Sequence, residues 1–108
     1  MGIYMAQWAY TSEAWANMVK NPEDRSVAAK GLIDKVGGRM LCFYHCFGEY
    51  DGLAIYDAPD ETAAAGVALT AVAPGHLKAF KTTVLLTVEQ GMEAMSKAGA
   101  ISFSAPKV

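Results

Sequence analysis

Apolar residues fill the first strand-like run, residues 3–10, on both of its faces. Ile3, Met5, Gln7 and Ala9 alternate with Tyr4, Ala6, Trp8 and Tyr10, and the run carries no charge. An alternating run that is apolar on both faces predicts a strand in a sheet covered on both sides. Thr11-Ser12-Glu13 then supplies a helix N-cap, and Ala14, Trp15, Met18 and Val19 recur at helical spacing. Asn21-Pro22-Glu23-Asp24 interrupts that helix. Proline suits the first turn of a second helix, and the acids suit its dipole. Val27, Ala28, Gly31, Leu32 and Val36 form the expected buried stripe of this second helix, and Gly37-Gly38 ends it.

Strand periodicity returns over residues 39–47, with Met40, Cys42, Tyr44 and Cys46 on one face and Leu41, Phe43, His45 and Phe47 on the other. Gly48-Glu49-Tyr50-Asp51-Gly52 is short, polar and bounded by glycine, as a β-hairpin loop is. Leu53–Tyr56 is the return strand. Asp60 caps an alanine-rich helix through about Ala73 that carries Val67, Leu69 and Val72, and Pro74-Gly75 stops it. A fourth strand covers residues 77–86. Thr87-Val88-Glu89-Gln90 is a capping box that opens a last helix to about Ala98. The tail, residues 99–108, has no period.

The order is therefore strand, helix, strand, strand, helix, strand, helix. Two crossovers of βαβ length flank one hairpin, which predicts a single α+β domain over residues 1–108. Its fold is ferredoxin-like, βαββαβ, with an extra C-terminal helix.

Composition adds two things to this picture. Hydrophobic residues make up 53% of the chain and charged residues only 19%. A 108-residue domain with that apolar surplus is expected to bury part of it against a second copy. The net charge of −2, with no basic stripe, argues against nucleic acid as a partner. No apolar run reaches the length of a membrane span, and no signal peptide opens the chain, so a soluble cytoplasmic protein is expected. On an extended strand, Cys42 and Cys46 would lie too far apart to bridge and are read as free thiols.

Several short pieces together resemble the GYD-domain family. They are Asn21-Pro22-Glu23-Asp24-Arg25, Gly37-Gly38-Arg39, Phe43-Tyr44, Gly48-Glu49-Tyr50-Asp51 and Ala58-Pro59-Asp60. The resemblance runs from about Tyr4 to Gly99 and takes in the Gly-x-Tyr-Asp stretch that names the family. It implies a dimeric α/β barrel, in which two ferredoxin-like sheets pack face to face. It carries no single activity: relatives of that fold include cofactor-free monooxygenases, small lyases and isomerases, haem-degrading enzymes and stress proteins. His45 and Cys46 stand where family sequences tend to carry Tyr or Thr.

Candidate chemistry follows from an assumption about faces. If Leu53, Ile55 and the small Cys42 lie under the helices, the open sheet face carries Phe43, His45, Phe47, Ala54 and Tyr56. On that assumption His45 is the candidate acid or base, among the aromatic substrate-binding residues Trp8, Phe43, Phe47 and Tyr56. The alternative is a histidine hydrogen-bonded within an interface. Glu49, Tyr50 and Asp51 either sit at a pocket mouth or serve the turn itself. On an extended strand, His45 points away from both sulfurs, so no metal site closes there. Haem would need His45 or His76, without an attachment motif. The expected function is an oligomeric protein with an aromatic-lined site for a small organic compound. It would be either a cofactor-independent acid/base enzyme or a non-catalytic binding or assembly protein.

Overall fold

Each predicted element forms, with boundaries set by the expected caps. The computed structural model describes residues 1–107. Its elements are β1 (Gly2–Tyr10), α1 (Ser12–Lys20), α2 (Arg25–Lys35), β2 (Arg39–His45), β3 (Gly52–Ala58), α3 (Glu61–Val72), β4 (Leu77–Leu85) and α4 (Val88–Gly99). The hydroxyl of Thr11 accepts from the Ala14 N–H at 3.1 Å, and Asp60 Oδ1 accepts from the Ala63 N–H at 2.9 Å. Thr87 and Gln90 exchange both bonds of a capping box. Asp24, rather than the first-turn proline expected, caps α2, so Pro22 stands outside the helix.

The strands form one sheet in the order β2-β3-β1-β4, with every neighbouring pair antiparallel. With helices in both crossovers, this is the ferredoxin-like α+β arrangement. Gly37 ends the α2 region with φ of +82°, a left-handed conformation that glycine adopts without a steric penalty.

The face assignment differs from expectation. Tyr4, Ala6, Trp8 and Tyr10 of β1 and Ala54, Tyr56 and Ala58 of β3 are buried in one cluster with Ile33 of α2 and Ala64 and Val67 of α3. Helices therefore cover the face bearing Ala54 and Tyr56, not the face bearing Leu53 and Ile55. Size complementarity explains the choice. The inner faces of α2 and α3 are rich in alanine, so the sheet must supply the large side chains that fill the layer, and each buried ring removes about 150–250 Å² from water.

A register shift in β2 completes the inversion. Met40 pairs with Tyr56, but Cys42 pairs with Ile55 and Phe43 with Ala54. The chain accommodates Leu41 as an extra residue, as a bulge does. Met40, Phe43 and His45 thus share the helix-covered side of the sheet, while Cys42 faces the other way. β2 ends at His45, which leaves Cys46 and Phe47 in the hairpin loop, and both cysteines are free thiols.

The buried stripe of α2 also moves. Ala29, Leu32, Ile33 and Val36 turn inward, whereas Val27 is 67% exposed. Spacings of three, four and seven put these four residues on one face, a turn away from the expected centre. In α3, Leu69 likewise points outward and Val67 inward.

Two apolar surfaces are left without a partner within the chain. Ile3, Met5, Leu53, Ile55 and Leu85 form a half-buried patch on the uncovered sheet face, linked by the pairs Ile3↔Leu85, Met5↔Ile55 and Gln7↔Leu53. Helix α4 buries none of its residues, and Met92 and Met95 are 63% and 71% exposed. The radius of gyration is 17.4 Å, against roughly 13 Å for a compact chain of this length. No helix among the described residues is long and apolar enough to cross a membrane.

Candidate functional site

A cavity of about 260 Å³ lies between the sheet and helices α2 and α3. Its floor is aromatic: Trp8 and Tyr10 from β1, Phe43 from β2, Tyr56 from β3 and Phe80 from β4. Its walls are narrow side chains, chiefly Ala28 and Ala29 of α2 and Ala71 of α3. Alanine on both helices lines the space without filling it, so the two helices leave a gap over the rings. The exposed lining residues Ala28, Thr70 and Pro74 mark the opening to solvent.

Polar groups line this cavity at Arg25, His76 and Tyr56, beside the Tyr10 hydroxyl and Thr70 at the opening. Arg25, the first residue of α2, and His76, just before β4, stand at the end of β1 where Tyr10 stacks obliquely on His76 at 6.2 Å. The His76 carbonyl accepts from the Thr11 N–H at 3.0 Å, which fixes the segment. Burial and the nearby Arg25 charge both push the His76 imidazole below its ordinary pKa, so it is neutral at pH 7. At the other end, Tyr56 is fully buried, and among the described residues no group hydrogen-bonds its hydroxyl. Burial, and secondarily Tyr4, raises its pKa above the ordinary 10.0, so it remains a protonated donor.

The hairpin signature has a structural task of its own. Asp51 Oδ2 accepts from the Tyr10 N–H at 2.8 Å and from the Trp15 indole N–H at 3.1 Å. The Asp51 N–H donates to the Trp8 carbonyl at 2.7 Å, and its carbonyl accepts from the Cys46 N–H at 2.9 Å. One residue thus ties the β2–β3 hairpin to β1 and α1. Gly52 follows for steric reasons: a Cβ there would lie 2.5 Å from the Trp8 ring.

Of the residues singled out in the sequence, Trp8, Phe43 and Tyr56 meet in this cavity. They meet beneath the helices, not on the open face. His45 does not join them. It is exposed at the end of β2, edge-on to Phe43 at 5.6 Å. Phe47 is 88% exposed in the loop. Glu49 and Tyr50 border a shallow depression with Phe47, Gln7 and Lys81 on the uncovered sheet face, while Asp51 turns inward to its clamp.

The cavity residues not foreseen are Arg25, Tyr10, Phe80 and, as a cavity group, His76. The one local signal was the break at Pro74-Gly75, which returns the chain to the sheet next to His76. Among the described residues no three His, Cys, Asp or Glu side chains converge as a metal site would require.

The model of one family, described as GYD domain, matches residues 4–95. No curated protein and no solved structure matches the chain.

Proposed function

The chain belongs to the GYD-domain family, and from that premise we propose that it is a homo-oligomeric protein whose subunits each take a small, flat organic compound into the helix–sheet cavity. The observation that carries this reading is the cavity itself: five aromatic rings beneath a roof of alanine and larger aliphatic side chains, with few polar groups in the lining. Small-molecule sites are typically apolar concavities with a few placed polar groups. Its volume lies just under the usual range of about 300–1,000 Å³, which favours a compound of two or three fused rings.

The group equipped for proton transfer is His76. A neutral imidazole at the cavity rim can accept a proton from an acidic O–H or C–H of a bound compound and needs no cofactor to do so. His45, outside the cavity, has no such access.

Self-association rests on the two unpartnered apolar surfaces. The sheet face around Met5 and Ile55 and the α4 stripe of Val88, Met92 and Met95 are each satisfied by a second copy. Sedimentation velocity at micromolar concentration should give a mass above 11.5 kDa. Met92→Glu with Met95→Glu should lower it, and a wild-type monomer would refute self-association. Quenching of tryptophan fluorescence by 2-naphthol tests the cavity. Binding should disappear in Ala71→Phe, whose ring fills the space, and saturable binding that survives this change would place the ligand elsewhere.

A further inference from the structure

We infer, on the reading that this cavity is a ligand site, that its ligand is an organic acid: a planar ring system that enters among Trp8, Phe43 and Phe80 while its anionic oxygens stay at the rim with Arg25 and His76. The charge balance of the lining carries the inference. Among the described residues, Arg25 is the one lining residue with a formal charge at pH 7, and no carboxylate lines the cavity. A cationic ligand would meet a like charge on the lining itself, while Glu23, the partner of Arg25, lies outside the lining. A carboxylate or phenolate meets a guanidinium, whose planar fork matches a carboxylate by two parallel hydrogen bonds.

The guanidinium is available for this. Among the described residues its one ion pair is with Glu23 at 3.4 Å, and the two side chains are 29% and 59% exposed. Exposed pairs of this kind are worth about 0–1 kcal/mol, so a ligand carboxylate can replace Glu23 at little cost. The apolar surroundings strengthen the exchange, because a charge pair at the edge of a ring-lined cavity is less screened than one on the open surface. His76 adds directionality. Its backbone is held by Thr11, its imidazole is neutral, and among the described residues no protein hydrogen bond occupies the ring. It can therefore donate one N–H to the same oxygens.

The geometry also sets which end of the ligand faces outward. Tyr10 and His76 stand at one end of the floor and Tyr56 at the other, since Tyr56 pairs with Tyr4, six residues back along β1. Six strand residues separate the Cα positions of Tyr10 and Tyr4 by about 20 Å. The acid belongs with Arg25, and the rings extend inward from it.

Three probes of one shape separate the possibilities: 2-naphthoate, 2-naphthalenemethanol and 2-naphthylmethylammonium, titrated at pH 7 against the full chain and against Arg25→Gln. The expected result is at least about tenfold tighter binding of naphthoate than of the alcohol, with the ammonium weakest. In Arg25→Gln the ratio of naphthoate to alcohol affinity should fall to about one, and Arg25→Lys should recover part of the preference. If the alcohol binds as tightly as naphthoate, or if the preference survives in Arg25→Gln, the acid assignment is overturned and the cavity reading stands. If none of the three binds, both fall together. Circular dichroism of each variant checks that the fold is unchanged.

Discussion

Adding a single methyl group at Gly52 tests how the hairpin and the cavity floor depend on each other. Gly52 is not at positive φ, so its backbone conformation does not exclude alanine, and the destabilising part of the change is steric. An ideal Cβ would stand 2.5 Å from Cε2 and Cζ2 of Trp8, where carbon contacts prefer about 3.5–4.0 Å. The indole must therefore shift by about 1 Å. It has little room to do so, being 7% exposed and tilted against Phe43 at 5.3 Å. Overpacking of this kind costs about 1–3 kcal/mol. With a urea m-value near 1.5 kcal/mol/M, the midpoint should fall by about 0.7–2 M.

Two companion variants make that result specific. Gly48→Ala, in the same loop with nothing within 4 Å of the new Cβ, should stay within about 0.5 kcal/mol of wild type. In a Trp8→Leu background the penalty of Gly52→Ala should largely disappear, because the clashing ring is gone. That background also lowers stability by itself, so the comparison is a double-mutant cycle. A Gly52→Ala protein with wild-type midpoint and unchanged tryptophan emission would refute the steric account. So would a penalty that is equally large without the indole.

Asp51→Ala removes the acceptor of the Tyr10 and Trp15 N–H groups and should cost about 2–4 kcal/mol in urea unfolding. Asp51→Asn, which keeps an acceptor oxygen but not the charge, should cost less, and equal losses would show that a neutral acceptor does not suffice. Tyr56 gives a prediction in pH. Its folded pKa is raised, so the unfolded chain loses this proton first, stability should decline as pH rises above about 10, and Tyr56→Phe should remove that decline. His76 acts in the opposite range. Its folded pKa is lowered, so the unfolded chain binds the proton first as pH falls below about 6.5. Melting temperature should drop there in wild type and drop less in His76→Gln.

The sequence by itself determined the elements, their order and the family, because each of those signals is local. Thr11, Asp60 and the Thr87–Gln90 pair cap helices within three residues of themselves, Pro74-Gly75 breaks the chain where it stands, and two crossovers around one hairpin leave few sheet orders. Which side of the sheet the helices cover was not local. Both faces of β1 are apolar, so alternation carried no polarity, and a strand shifted by one residue exchanges its faces entirely. The extra residue at Leu41 then placed Phe43 with Ala54, a displacement that shows only once β2 pairs with β3. The candidate site followed the same division. Trp8, Phe43 and Tyr56 were recognisable as ring-bearing residues of one surface, whereas Arg25 and His76 are separated by 51 positions and have no shared pattern. Only the two crossovers, which carry α2 and the start of β4 to the same end of the sheet, bring the two side chains together at the cavity rim. That is a long-range contact, decided by how alanine-faced helices pack over a sheet of rings.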